Sequence, residues 1–366
     1  MTAVLLTIDT GFAWRYHAAG FDLATIRRRS IEPAGVGITY QLRRLAEHGL
    51  KACFFVDPMP AMTYGLDIIR QIMVPILSAG QDVQLALHPR WTAAKPGDRG
   101  QAKVRSDLFD YSSDEQRALI AGARELLVAA GAPEPVAFRA GHYAADDRTL
   151  EALAELGFAY DSSHNGAYAP RPCRTQFDRR QIAPVRHRLI EVPVAVVEDA
   201  PGSLQAARIC ALSRREMVAM LDHAVDEGHA AVTIIGDGFD LAGRGGTRVN
   251  AVHKRRFDAL CAMLAKRRPS LPTVHFKDRP TFPLGRRDEP LGPSRLRTRL
   301  RQAEQLWSNL MQKRDATAAV APIVANSFRD ERERSARRFL RPDNGGSPAR
   351  ADTGASRVGR KRTISS

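Results

Sequence analysis

The sequence has no closely paired cysteines. Cys53, Cys173, Cys210 and Cys261 are its four thiols, and long stretches separate them. That spacing excludes a zinc finger, and a disulfide framework belongs to smaller secreted domains. Buried free thiols fit better, since Cys53 sits in an apolar run and Cys261 in a helical pattern. Long apolar runs are missing too: none approaches the roughly 18 residues of a membrane span. No leader is legible either, because no charged segment precedes the apolar residues 4–8 and no small-residue cleavage site follows them. The cytoplasm is the expected compartment. No internal repeat stands out, which argues against solenoids and propellers.

Hydrophobic residues make up 44% of the chain, enough for a sizeable core. The net charge of +15 is unevenly placed. Residues 285–366 carry 19 Lys/Arg against 9 Asp/Glu, so only +5 belongs to the 284 residues before them. A basic stretch of this kind suits a nonspecific anionic partner, nucleic acid or lipid, bound through charge alone. Few aromatics interleave it, so base stacking is not implied.

Short apolar runs alternate with helical patterns along the first 280 residues. Residues 4–8, 51–56, 83–87, 136–139, 158–160, 190–196, 231–235 and 273–276 read as strands. Residues 35–48, 68–79, 114–130, 146–156, 213–227 and 252–267 carry helical spacing. Gly49 and Gly80 are placed to stop helices, and Ser113 and Ser213 to cap them. The Arg-rich stretch before residue 30 reads as a loop. Such alternation predicts parallel β/α units, about seven parallel strands in a barrel or a long open sheet. The pattern changes near residue 280. It predicts a domain over 1–284 and a basic tail over 285–366, helical at about 294–314 and 329–340 and then disordered. Leu296, Leu300, Ala303, Leu306 and Leu310 form one stripe of the first tail helix. Gly243 to Gly246 lack the ending and the spacing of a phosphate loop.

In parallel β/α folds, functional groups gather where strands end. Asp9, His88, Arg139, Asp161 and Asp237 occupy such ends here. These residues also carry a family resemblance. LTIDTG at residues 6–11 resembles the first motif, T-F-D-D-G, of the polysaccharide deacetylases (carbohydrate esterase family 4, the NodB homology domain). GVGITYQLRRLAEHGLKACFFV at 35–56 is similar to that family's next helix and strand. LHP at 87–89 resembles the end of its H-x-H-P or H-x-x-x-H-P motif. FRAG at 138–141 is similar to its arginine motif, and GFAYDSS at 157–163 to its G-F-x-Y-D-S-S segment.

The resemblance implies a distorted β/α barrel that removes acetyl groups from an amino sugar or a related amide. It implies a divalent metal, zinc above all, that polarises the acetyl carbonyl and activates water. Carried over by position, Asp9 is the general base, His88 a metal ligand and Arg139 the group that orients the base. Asp237 stands where the family's leaving-group histidine belongs. Asp161 and Trp91 are candidates for substrate contact. The sequence also departs from the pattern. Thr10 and Gly11 replace the metal carboxylate, and neither Gln84 nor Ala86 supplies the second histidine. Asp9, His142, His164 or Asp237 are candidate substitute ligands. Two readings follow, a metal-dependent deacetylase or an inactive barrel that binds glycans without turnover and holds no metal.

Overall fold

The computed structural model describes residues 1–97 and 105–316, apart from the side chains of residues 307 and 309–316. The helix expected at 329–340 and the disordered end expected after it lie outside the described residues, as does most of the basic stretch expected to meet an anionic partner. Ten strands form: β1 Ala3–Thr10, β2 Cys53–Val56, β3 Asp82–Leu87, β4 Ala137–Ala140, β5 Tyr160–Asp161, β6 Val185–Arg186, β7 Ile190–Glu191, β8 Val196–Ala200, β9 Ser203–Ala206 and β10 Ala231–Asp237. Seven run parallel in the order β10-β1-β2-β3-β4-β5-β7, and β6 adds antiparallel to β7. Strands β8 and β9 make a separate hairpin. The curled sheet closes irregularly. Ala195 N–H donates to the Thr233 carbonyl at 3.1 Å, and Ile235 N–H donates to Ala207 at 2.9 Å. This is the expected distorted β/α barrel.

The helices are α1 Trp14–Ala18, α2 Leu23–Ser30, α3 Ile38–Glu47, α4 Ala61–Tyr64, α5 Asp67–Ser78, α6 Ser113–Ala129, α7 Asp147–Glu155, α8 Arg214–Asp226, α9 Ala251–Lys266 and α10 Arg295–Ala316. Local chemistry sets their ends. Gly49 takes a left-handed φ of 57° after α3, a conformation that favours glycine. Ser112, one residue earlier than expected, caps α6 by exchanging hydrogen bonds with Glu115, and Ser213 does the same with Glu216 for α8.

Three expectations change. The stretch read as a loop before residue 30 contains α1 and α2, with Asp22 capping α2 through Thr25. The strand expected over 190–196 breaks at Pro193, which has no N–H for a ladder, so β7 ends and the hairpin begins. Residues 273–276 make only an isolated bridge between Thr273 and Val4. Their role is to close the barrel floor, where Phe276 packs 5.3 Å from Tyr160 and 5.8 Å from Phe55.

Period-two alternation decides what the barrel holds. Val4, Leu6, Ile8, Phe54, Leu85 and Phe138 face outward into the layer between sheet and helices. Leu5, Cys53, Phe55, Ala86, Ala137 and Ala231 face inward. Extended one or two steps further, the inward rows end on Asp9, Asp57, His88, Arg139 and Asp237. Gln84 lies on the same inward row as His88. Its Oε1 accepts from Val136 N–H at 2.9 Å and Ala137 N–H at 2.7 Å, so it anchors the start of β4.

Charge pairing docks α10 on the barrel. Arg301 reaches Asp199 at 2.8 Å and Glu216 at 3.1 Å, and Arg256 reaches Glu304 at 2.6 Å. Among the described residues, no helix is long and apolar enough to cross a membrane.

Two tests follow. Gln84→Ala leaves two buried N–H groups without an acceptor, and urea unfolding should show a loss of about 2 kcal/mol or more. His164 and His275 are buried, and desolvation lowers each from the ordinary 6.5 to about 4. Between those values the unfolded chain binds protons that the folded chain refuses. Stability is therefore complete above pH 6.5 and falls as pH drops towards 4, by roughly 3 kcal/mol per histidine. Thermal melts across that window should show the fall, and His164→Asn should remove about half of it.

Candidate functional site

Arg139 organises the strand ends. It is buried at 2% exposure, and its guanidinium donates to four acceptors: Asp9 Oδ1 at 2.8 Å, Thr7 Oγ1 at 2.9 Å, Ser162 Oγ at 3.0 Å and the Ser162 carbonyl at 3.1 Å. It lies 4.2 Å from the Phe55 ring centre. Burial is the largest influence and opposes its charge, but Asp9, Tyr143 and Asp161 together hold its pKa above the ordinary arginine value. Tyr143 donates its hydroxyl to Asp9 Oδ2 at 3.4 Å. Burial first and Asp9 second push the phenol's pKa well up, so it stays a donor. Asp9 thus has both carboxylate oxygens engaged.

His88 stands beside a residue that the sequence reading missed. Asp57, just past β2, accepts from His88 Nδ1 at 3.1 Å and from Met59 N–H at 3.1 Å. The carboxylate orients the ring, with Nδ1 turned to Asp57 and Nε2 turned away from it. Two glycines make room for this pair. A Cβ on Gly11 would lie 3.2 Å from Asp57 Cβ, and a Cβ on Gly141 would lie 2.4 Å from the His88 ring. The signal for Asp57 was available, since Cys53 and Phe55 set the inward row that it ends.

His142 follows Gly141 in a left-handed turn, with φ of 55° there and 61° at Tyr143. Its ring lies 5.1 Å from that of His88. Arg90 Nη2 sits 2.9 Å from its Nδ1 and 3.2 Å from its Nε2. A guanidinium can only donate, so the lone pair of His142 faces a cation already in place.

Asp237 also meets an arginine. Arg208, from the segment after β9, pairs with Asp237 and reaches Asp240 at 3.1 Å. Asp240 in turn accepts from the Asp237 N–H at 3.0 Å. Burial opposes the Arg208 charge, and Asp240 raises its pKa well above the ordinary value. The position expected to supply the acid is thus taken up by an ion pair with Arg208. Arg208 lies at no strand end of the sequence reading, and nothing in its local pattern marks it.

The two candidates for substrate contact, Asp161 and Trp91, are both buried. Asp161 is fully buried and accepts from Ser163 Oγ at 2.7 Å and Ser163 N–H at 3.2 Å. It sits in register with Glu191, and burial raises both carboxyls, Glu191 well above its usual range. Trp91 is 1% exposed and packs 5.0 Å from Trp14 and 5.1 Å from His17, behind the sheet. His164 is buried away from His88, its Nδ1 2.7 Å from Thr175 Oγ1 and its Nε2 3.0 Å from the Asp178 carbonyl.

The donor set does not fit the implied metal. Thr10 turns its hydroxyl to the Ile8 carbonyl at 3.1 Å, Gly11 has no side chain, and Ala86 packs with the inward apolar row. Gln84 is committed to β4. Among the described residues, no three His, Cys, Asp or Glu side chains converge as a metal site needs. The expected zinc ligation by His88 with Asp9 or His142 therefore lacks a site.

No family model and no curated protein matches the chain. Solved structures do. A chain from Mycobacterium smegmatis described as a candidate polysaccharide deacetylase is 18% identical, over 76% of this chain and 88% of its own, with a TM-score of 0.47. A family 4 carbohydrate esterase from Streptomyces lividans is 13% identical, over 80% of this chain and 98% of its own, with a TM-score of 0.39. A carbohydrate esterase family 4 pseudoenzyme from Bacillus anthracis is 12% identical, over 76% of this chain and 64% of its own, with a TM-score of 0.38. These solved chains are described as polysaccharide deacetylases or pseudoenzymes of their family, and the likeness is one of fold.

Proposed function

We propose that this barrel binds an acetylated amino sugar at its strand-end mouth and does not carry out metal-assisted hydrolysis. The donor set carries the reading: where three ligands are needed, His88 alone survives, and arginines stand beside His142 and Asp237. The mouth keeps what saccharide recognition requires. Asp9 is 24% exposed and His88 29%, so an acceptor oxygen and an imidazole edge meet solvent. The cytoplasm is part of the same proposal, and four unbridged thiols support it.

One observation favours a second reading. The Asp57–His88 pair resembles a general base with its orienting carboxylate, so His88 Nε2 could take a proton from water without any metal. Hydrolysis would also need a donor for the developing oxyanion. Arg139 turns its guanidinium to Asp9, Thr7 and Ser162, and Tyr143 turns its hydroxyl to Asp9, so neither is placed for that work. Binding without turnover is the stronger reading.

Calorimetry with chito-oligosaccharides should give saturable binding, and acetate assays on the same samples should give no release. His88→Ala should weaken binding roughly tenfold, the effect of losing one good hydrogen bond. Acetate release abolished by His88→Ala and by Asp57→Asn would establish the second reading instead, and absence of glycan binding would sink the first. The metal argument has its own check. The parent should hold only traces of zinc in elemental analysis. Gly11→Asp combined with Ala86→His should raise zinc retention, and more so when Asp57→Gly removes the Cβ that crowds Gly11.

A further inference from the structure

Helix α10 is docked the opposite way from an ordinary amphipathic helix. Its polar residues face the barrel: Arg301 is 8% exposed and Ser308 3%, and Glu304 meets Arg256. Thr298 donates to the Asp199 carbonyl at 3.0 Å on the same side. Its leucines face outward. Leu296 is 69% exposed, Leu306 64% and Leu300 39%, and Ala303 lies between them on the same exposed side. Spacings of three and four residues make these one continuous row.

Charge identifies what could cover the row. Arg295 and Arg299 are exposed and border it. The helix has six basic and two acidic residues, and Glu304 is turned to Arg256 on the barrel. A second copy seated on this face would bring two positive helices together, which disfavours it. Nucleic acid would engage the arginines and leave the leucines in water. A membrane with anionic headgroups satisfies both parts, with leucines at the acyl boundary and arginines among the headgroups. We propose that the outward face of α10 seats this protein on an anionic membrane surface, lying in the interface without crossing it.

Sedimentation of the full chain with vesicles tests this. The protein should pellet with phosphatidylcholine vesicles containing phosphatidylserine, remain in solution with phosphatidylcholine alone, and be released by added salt. The variant Leu296→Asn with Leu306→Asn alters only exposed side chains, so it should fold normally by circular dichroism. It should lose at least about tenfold in vesicle affinity, because its row has less apolar area to bury. Several results would overturn the proposal. Wild-type affinity in the double variant would mean attraction by charge alone. No pelleting with anionic vesicles would remove the membrane. A concentration-dependent dimer in light scattering, broken by the same substitutions in a protein that does not pellet, would assign the face to a second copy. Retention on a DNA duplex in place of vesicles would assign it to nucleic acid.

Discussion

Arg139 carries a full positive charge into a space that is 2% exposed, and its surroundings make that tolerable. An isolated buried guanidinium would be far too costly, so its N–H groups must meet acceptors. They come from three directions. Thr7 and Asp9 lie on β1, Ser162 follows β5, and the guanidinium itself projects from β4 over the Phe55 ring of β2. One side chain thereby ties four strands at their functional ends. Removing Asp9 from that arrangement would leave a buried charge uncompensated, a cost of about 3–5 kcal/mol. The pair is as much a structural clamp as a site component, which explains how Asp9 and Arg139 persist where the metal carboxylate does not.

The same clamp limits chemistry. A deacetylase-type site needs a group to hold the acyl oxygen as charge develops on it. Here the candidate cations already have anions or lone pairs of their own. Arg139 faces Asp9, Arg208 faces Asp237 and Asp240, and Arg90 faces His142. The lost ligands and the added arginines make one consistent picture. Where a divalent ion would have balanced carboxylates and imidazoles, guanidinium groups do so. A metal would have to enter beside fixed positive charge.

Much of this was legible in the sequence, because strand parity is a strict rule. Once residues 4–8 and 83–87 are read as strands, Asp9 and His88 must sit at their carboxyl ends and on the inward rows. Applied to β2, the rule would have delivered Asp57 as well; the reading stopped at Val56 and lost it. Asp161 shows the opposite error. It ends a strand on schedule, but β5 is two residues long, and the turn after it folds Ser163 over the carboxylate. Trp91 lies beyond the strand end, where parity no longer applies and a short helical turn carries it behind the sheet. Arg208 belongs to a segment that pairs with β10 only through tertiary closure, so no local pattern could reveal it.

The last helix marks a different boundary of what a pattern can say. Its stripe of leucines was plain in the sequence, and the ordinary inference is that such a stripe turns inward. Periodicity, however, gives only the existence of two faces. Which face docks depends on what the neighbouring surface offers, and here the barrel offers Asp199 and Glu216 to Arg301 and Arg256 to Glu304. Ion pairs that are partly buried and shared among several groups hold the polar face in place more firmly than exposed pairs could. The leucines are left outside by that choice, and an outward apolar row bordered by arginines is a property of the assembled unit that neither the helix nor the barrel has alone.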